Sequence, residues 1–289
     1  MLGTLVEAIE RNAVDNPKKA AVCFRKERIT YTELWKLVQK GSLVLRRAGI
    51  KPGDRVMISA VSKPEYIIAL LSVQFIGAVS VAVDKTAKPA LLDYIYTETE
   101  ASFFLANMKS ENNWRTLLLK EFVSEIESLS ILEEEQYVKK EENDLCEILF
   151  TTGTTGKPKG VMLSYAAVHA SMENTWHGIE MISDDVVLMP LPLNHSFGMR
   201  VLRSTLYIGA TVVLQNGFTF VKEIETNIHD HACTAFISVP ASIEMLLNQM
   251  ADRFSTVFGK LRYMEFSAGS VSSGTKKTSV GFASGCDIA

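Results

Sequence analysis

Apolar positions recur at the spacing of one helix face over residues 5–13, 32–48, 65–75, 164–176 and 241–250, which predicts helices there. Short β-rich runs lie between them, at 56–61, 79–83, 102–105, 145–150, 186–189, 211–214 and 234–239. Several of these runs are apolar throughout instead of alternating, as strands covered on both faces require. Helices interleaved with such strands predict an α/β fold: layered, largely parallel sheets flanked by helices. No repeat of solenoid type is visible.

One stretch tests this reading. Positions 66–83 hold 18 residues without a charge, the length at which a membrane span is considered. Gly77 divides the stretch, Pro64 opens its first half as a helix, and Val79-Ser80-Val81-Ala82-Val83 reads as a β-branched strand. A buried helix followed by a buried strand is expected, and no transmembrane segment. Two other segments differ in composition. Residues 133–144 are nearly all polar or charged and read as a solvated connector, while residues 269–289 hold 11 Gly, Ser or Thr among 21 and read as an irregular tail.

Composition narrows the function classes. The 289 residues are 47% hydrophobic, which excludes disorder as the main state and allows one large domain or two ordinary ones at about 150 residues each. With 30 basic against 33 acidic residues, net −3, there is no basic excess to neutralise phosphates, and nucleic acid is not an expected partner. Cys23, Cys146, Cys233 and Cys286 form no C-x-x-C pair, so a zinc or disulfide framework is not expected. Buried or free thiols in a reducing cytoplasm are, since the amino terminus also shows no basic and apolar signal pattern.

The sharpest feature follows the apolar strand at 145–150: Thr151-Thr152-Gly153-Thr154-Thr155-Gly156-Lys157-Pro158-Lys159-Gly160. Its glycines let successive N–H groups converge on an anion, its threonine hydroxyls add donors, and its lysines add charge. Such a loop suits a polyphosphate. It is not a Walker loop, because only Thr154 and Thr155 separate Gly153 from Gly156-Lys157. Val161-Met162-Leu163 reads as a short strand and Ser164 as the cap of the next helix.

This loop resembles the phosphate loop of the adenylate-forming superfamily, which includes acyl-CoA synthetases, aryl-CoA ligases and peptide-synthetase adenylation domains. Other segments resemble that family in the same order. Ile29-Thr30-Tyr31-Thr32-Glu33-Leu34 is similar to its "TYxEL" segment, and Gly53-Asp54-Arg55-Val56 to its "GDRV" turn. The strand ending at Asp84 is similar to "GAVxVPLD", with Ala82 where proline is usual. Pro190 to Gly198 resembles "PLxHxxG", and Leu261-Arg262 with Ser267-Ala268-Gly269-Ser270 resembles "LR…GGAP".

The resemblance implies a reaction in two halves. A carboxylic acid attacks the α-phosphate of ATP, releasing pyrophosphate, and a thiol, of CoA or of a carrier protein, then captures the acyl group. It implies ATP-phosphate contacts at Thr151, Thr152, Gly153, Thr154, Thr155, Gly156 and Lys159, with Mg²⁺ at Thr151. It makes His195 and Lys159 the catalytic side chains and lines the acyl pocket with His195, Phe197 and Gly198. Adenine contacts fall at Ala268, Gly269 and Ser270. His169, His177, His229 and His231 lie outside these motifs and read as ordinary surface or core residues. The resemblance also implies that residues 1–270 are part of an N-terminal AMP-binding domain of two interwoven α/β subdomains. Residues 271–289 would be the irregular tail. The family's later "YGxTE" and "TGD" motifs and its small lid domain are not in the 289 residues, so low ligase activity is expected of the chain by itself. A carrier-loading adenylation domain and a non-catalytic nucleotide-binding module are the alternatives.

Overall fold

The computed structural model describes residues 3–109, 112–130, 135–151, 157–267 and 287–288. Thr4 accepts the Glu7 amide at 3.2 Å while Glu7 accepts that of Thr4 at 2.6 Å, a reciprocal cap that starts α1 (Leu5–Asp15). The same device, Thr30 with Glu33, starts α2 (Tyr31–Arg47) after the hairpin β1 (Ala20–Phe24) and β2 (Glu27–Thr30). The chain continues through β3 (Arg55–Ala60), α3 (Pro64–Phe75), β4 (Val79–Asp84), α4 (Pro89–Glu98), β5 (Phe103–Ala106), β6 (Thr116–Leu118) and α5 (Leu119–Ser128). Next come β7 (Leu145–Thr151), β8 (Lys159–Ser164), α6 (Tyr165–Gly178), β9 (Val186–Met189), α7 (Ser196–Tyr207) and β10 (Thr211–Leu214). The last described elements are α8 (Val221–Asp230), β11 (Ala235–Ser238), α9 (Pro240–Met250), α10 (Phe254–Phe258), β12 (Tyr263–Phe266) and β13 (Asp287–Ile288).

These strands form two sheets. The first has the order β13-β12-β11-β9-β10-β1-β2 and is parallel except at β1–β2. The second has the order β6-β5-β3-β4-β7-β8 and is parallel except at β7–β8. Alternation along the strands sorts their side chains into layers. Val56 and Ile58 of the second sheet, and Val187, Met189, Val212 and Leu214 of the first, join one core with α1, α2, α3, α6 and α7 between the sheets. Leu188, Val213 and Phe236 face the opposite way, onto α8, α9 and α10. Met57, Val81 and Phe104 face α4 on the far side of the second sheet. The protein is thus a mixed α/β fold of two mostly parallel sheets flanked by helices.

The uncharged stretch at 66–83 is α3 and β4, both buried, and among the described residues no helix is long and apolar enough to cross a membrane. Cys23, Cys146 and Cys233 are buried free thiols, pushed up by that burial, Cys233 to about 12; Cys286 lies outside the described residues. The two compositionally distinct segments make specific contacts. The described part of the polar connector does not simply lie in solvent: Val138 N–H donates to the Phe75 carbonyl at 2.9 Å, Tyr137 meets the Phe75 ring edge-on, and Glu135 pairs with Arg46 at 3.4 Å. Two residues of the irregular tail, Asp287 and Ile288, pair in parallel with Tyr263 and Met264 as an edge strand.

Gly77 explains how the connector fits. Its φ is +73°, and a Cβ there would meet Val138 Cγ1 at 2.9 Å. Gly77→Ala combines left-handed strain with overpacking and is expected to cost about 2 kcal/mol. Urea unfolding should show a lower midpoint at unchanged slope.

Candidate active site

In a parallel sheet the carboxyl ends of the strands gather the loops, and ligands bind in the crevice outside them. Here the carboxyl ends of both sheets open onto one cleft of about 500 Å³, within the usual size of small-molecule sites. Ser62 follows β3, while Asp84 ends β4 and Lys85 follows it. Pro190 to Pro192, Asn194 and His195 follow β9, Asn216 follows β10 and Val239 follows β11. Lys85 Nζ donates to Asn216 Oδ1 at 3.1 Å and so bridges the two sheet edges.

Asp84 anchors the cleft floor. The Thr86 amide and hydroxyl donate to its Oδ1 at 2.6 and 2.5 Å, and the Asn194 amide donates to Oδ2 at 3.3 Å. Partial burial pushes this carboxyl up, but the Thr86 bonds, nearby His195 and Asn194 outweigh it and hold it below the usual carboxylate range. The carboxylate is therefore ionised beside His195 at neutral pH.

His195 is the residue before α7, exposed, and its side chain does not cap the helix. The first turn of α7 therefore presents N–H groups and the positive end of its dipole at the cleft, a setting that favours an anion. Gly198 in that turn is forced by packing: a Cβ would lie 2.3 Å from the Pro192 carbonyl oxygen. Phe197 is buried under the Arg200 guanidinium, 4.7 Å from its ring centroid, and Arg200 pairs with buried Glu265 at 2.5 Å. Of the three residues expected in an acyl pocket, His195 walls the cleft; Phe197 and Gly198 lie behind it.

Thr151 and Lys159 face each other at the base of the β7–β8 hairpin, both exposed, with Thr151 Oγ1 3.5 Å from the Lys159 carbonyl. Tyr94 of α4 donates to the Pro158 carbonyl at 3.1 Å and packs edge-on against Phe150, which fixes the returning arm. Parallel pairing of Ala82 with Leu149 brings Asp84 and Thr151 to the same sheet edge, two residues further along each strand. The base of the β7–β8 hairpin and the His195 segment are thus linked through Asp84, which the Asn194 amide reaches. Thr152, Gly153, Thr154, Thr155 and Gly156 lie outside the described residues, as do Ala268, Gly269 and Ser270.

The remaining histidines have structural settings. His169 is buried and pairs with the Gly3 carbonyl at 3.1 Å, His231 pairs with the Arg25 carbonyl at 3.0 Å, and His229 meets Asp230. His177 is exposed in the last turn of α6. Among the described residues no cluster of three His, Cys, Asp or Glu forms a metal cage. Sequence reasoning missed Asp84, Lys85, Asn194 and Asn216 as site residues. A usable signal existed for Asp84, the first charge after the 18-residue uncharged run, at the carboxyl end of a buried strand.

Comparison with known proteins places this cleft in context. The family described as AMP-binding enzyme matches residues 9–281. Feruloyl-CoA synthase of Amycolatopsis sp is 29% identical over 213 residues, 72% of this chain and 43% of its own length. Bacitracin synthase 1 of Bacillus licheniformis is 28% identical over 275 residues, 91% of this chain and 5% of its own length. The chain therefore spans less than half the length of these relatives. Among solved structures, the Klebsiella oxytoca NpsA N-terminal subdomain in complex with 3-hydroxybenzoyl-AMSN superposes with a TM-score of 0.87 at 18% identity, covering 99% of this chain and 71% of that one.

Proposed function

Because the chain belongs to the AMP-binding enzyme family, whose members include CoA ligases and peptide-synthetase adenylation domains, we propose that its cleft binds ATP and a carboxylic acid for acyl-adenylate formation, with CoA as the thiol that follows. The observation that carries this reading is that an ionised Asp84, beside Thr151 at the end of the second sheet, is bonded by Asn194 to the segment that leads through His195 into the uncapped N-terminus of α7.

The acid's carboxylate oxygen attacks the α-phosphorus, the bond to the bridging oxygen breaks, and pyrophosphate leaves with the electron pair. Thiol sulfur then attacks the acyl carbon and AMP leaves. No protein nucleophile is needed, so the residues' work is positioning and charge stabilisation. His195 and the α7 N-terminus hold the carboxylate. The loop from Thr151 to Gly156, with Lys159, holds the β- and γ-phosphates. Thr151 would offer its hydroxyl to a Mg²⁺ ion, which would supply positive charge against the phosphates. Similarity to bacitracin synthase 1 over 91% of the chain favours a second reading, in which the acceptor is a carrier-protein thiol.

Calorimetry with a non-hydrolysable acyl-sulfamoyl adenosine tests the proposal. We expect saturable one-to-one binding that ATP displaces, with little pyrophosphate exchange, because the 289 residues contain no "YGxTE" or "TGD" element. A folded chain that binds neither analogue nor ATP would sink it. Thiol transfer to CoA against transfer to a carrier protein separates the two acceptors.

A further inference from the structure

Glu147 and Arg203 form an ion pair with 1% and 2% side-chain exposure, Nη2 to Oε1 2.6 Å. Glu147 lies on β7, four residues before Thr151; Arg203 lies on α7, eight residues after His195. The strand belongs to the second sheet, whereas α7 connects β9 and β10 of the first. Glu147 Oε2 and Arg203 Nε have no hydrogen-bond partner among the described residues. A buried pair with atoms left unsatisfied is a poor device for stability, since apolar residues of similar volume would fill the space without desolvating two charges. The best-attested use of such pairs is to fix register.

Further contacts hold the same segment. Tyr66 of α3, buried in the field of both charges, donates to the Leu193 carbonyl at 3.2 Å, and Asn194 reaches Asp84 of β4 at 3.3 Å. The His195 loop is therefore tied from α3, from β4 and, through α7, from β7.

We infer that Glu147 and Arg203 are positioning residues of the adenylation site: a buried clasp that holds the strand feeding the phosphate loop in register with the helix that starts at His195. Its purpose rests on the function proposed above. Attack on the α-phosphorus must be in line with the leaving oxygen, and the clasp sets the spacing between the group holding the carboxylate and the loop holding the phosphates. Small misplacements of such groups cost rate steeply.

The test is the full chain carrying E147L/R203M. Its thermal midpoint is expected at or above that of the wild type, while amide exchange at residues 191–195 and 148–151 accelerates about tenfold or more and affinity for the acyl-sulfamoyl adenosine falls about tenfold. R203K, which keeps the cation, is expected to restore slow exchange at 191–195, a rescue that simple cavity filling would not give. Wild-type exchange at both segments in the folded double variant overturns the inference. So does faster exchange with undiminished affinity for the analogue. A wild-type chain that fails to bind the analogue defeats the adenylation reading instead, and the exchange comparison still decides whether the clasp exists. Should the double variant not fold, E147Q is read by the same criteria.

Discussion

Arg203→Met alone is expected to destabilise the chain by about 3–5 kcal/mol, a large fraction of a typical domain's stability, whereas E147L/R203M recovers that loss in full or exceeds it. The single change leaves a carboxylate in a core where its neighbours include Tyr66 and Cys146, both buried and neither cationic. Burial already pushes the Glu147 carboxyl up, against the pull of Arg203, and removing the guanidinium lets burial act unopposed. The sign of the pH dependence follows. An acid whose folded value lies above its unfolded one binds more protons when folded, so stability falls as pH rises through that window. The Arg203→Met deficit should be largest at neutral pH and above, and shrink as pH falls towards the ordinary glutamate value of 4.5. Urea midpoints at neutral and mildly acidic pH measure this directly. A deficit independent of pH would mean that lost packing, not the stranded charge, dominates.

The same pair shows what the sequence could and could not reveal. The strand at 145–150 reads as an apolar run with one glutamate inside, and a charge in a strand covered on both faces calls for a partner. Nothing local says that the partner is 56 residues away. Helix α7 is hard to read from its pattern because Arg203, Ser204 and Thr205 are polar yet buried, so its buried positions extend beyond the apolar ones. Strands β2 and β12 are hidden for a different reason: Glu27 and Arg28 in the one and Glu265 in the other put charge into runs no longer than the apolar ones at 186–189 and 211–214. By contrast, α3 and β4 were legible because an uncharged run broken by one glycine admits few other foldings. His195, Thr151 and Lys159 stand out through their motifs; His195 lies on the cleft wall and Thr151 opposite Lys159 at the hairpin base. Asp84 and Asn194, 110 residues apart, and Lys85 and Asn216, 131 apart, meet only because two parallel sheets turn their carboxyl ends towards each other. That convergence belongs to topology, which no local spacing encodes.

Topology also ranks the two loop lysines. Lys159 is the first residue of β8, its backbone opposite Thr151, so its side chain starts from a fixed point at the end of the β7–β8 ladder. Lys157 precedes Pro158, lies outside the strand and starts from no ladder position. A cation held at a ladder position loses less freedom on meeting a phosphate than one outside the ladder. Charge-assisted hydrogen bonds contribute about 1.5–3 kcal/mol, so Lys159→Met is expected to weaken ATP binding by about 10- to 100-fold. Lys157→Met removes the same formal charge from the same loop and is expected to weaken binding only several-fold, in a manner that added salt largely erases. Calorimetric titration of ATP into both variants, at low and moderate ionic strength, distinguishes a placed ligand from general attraction. Equal losses in the two variants, both abolished by salt, would show that the loop attracts phosphate by charge alone and that Lys159 has no assigned place in the site.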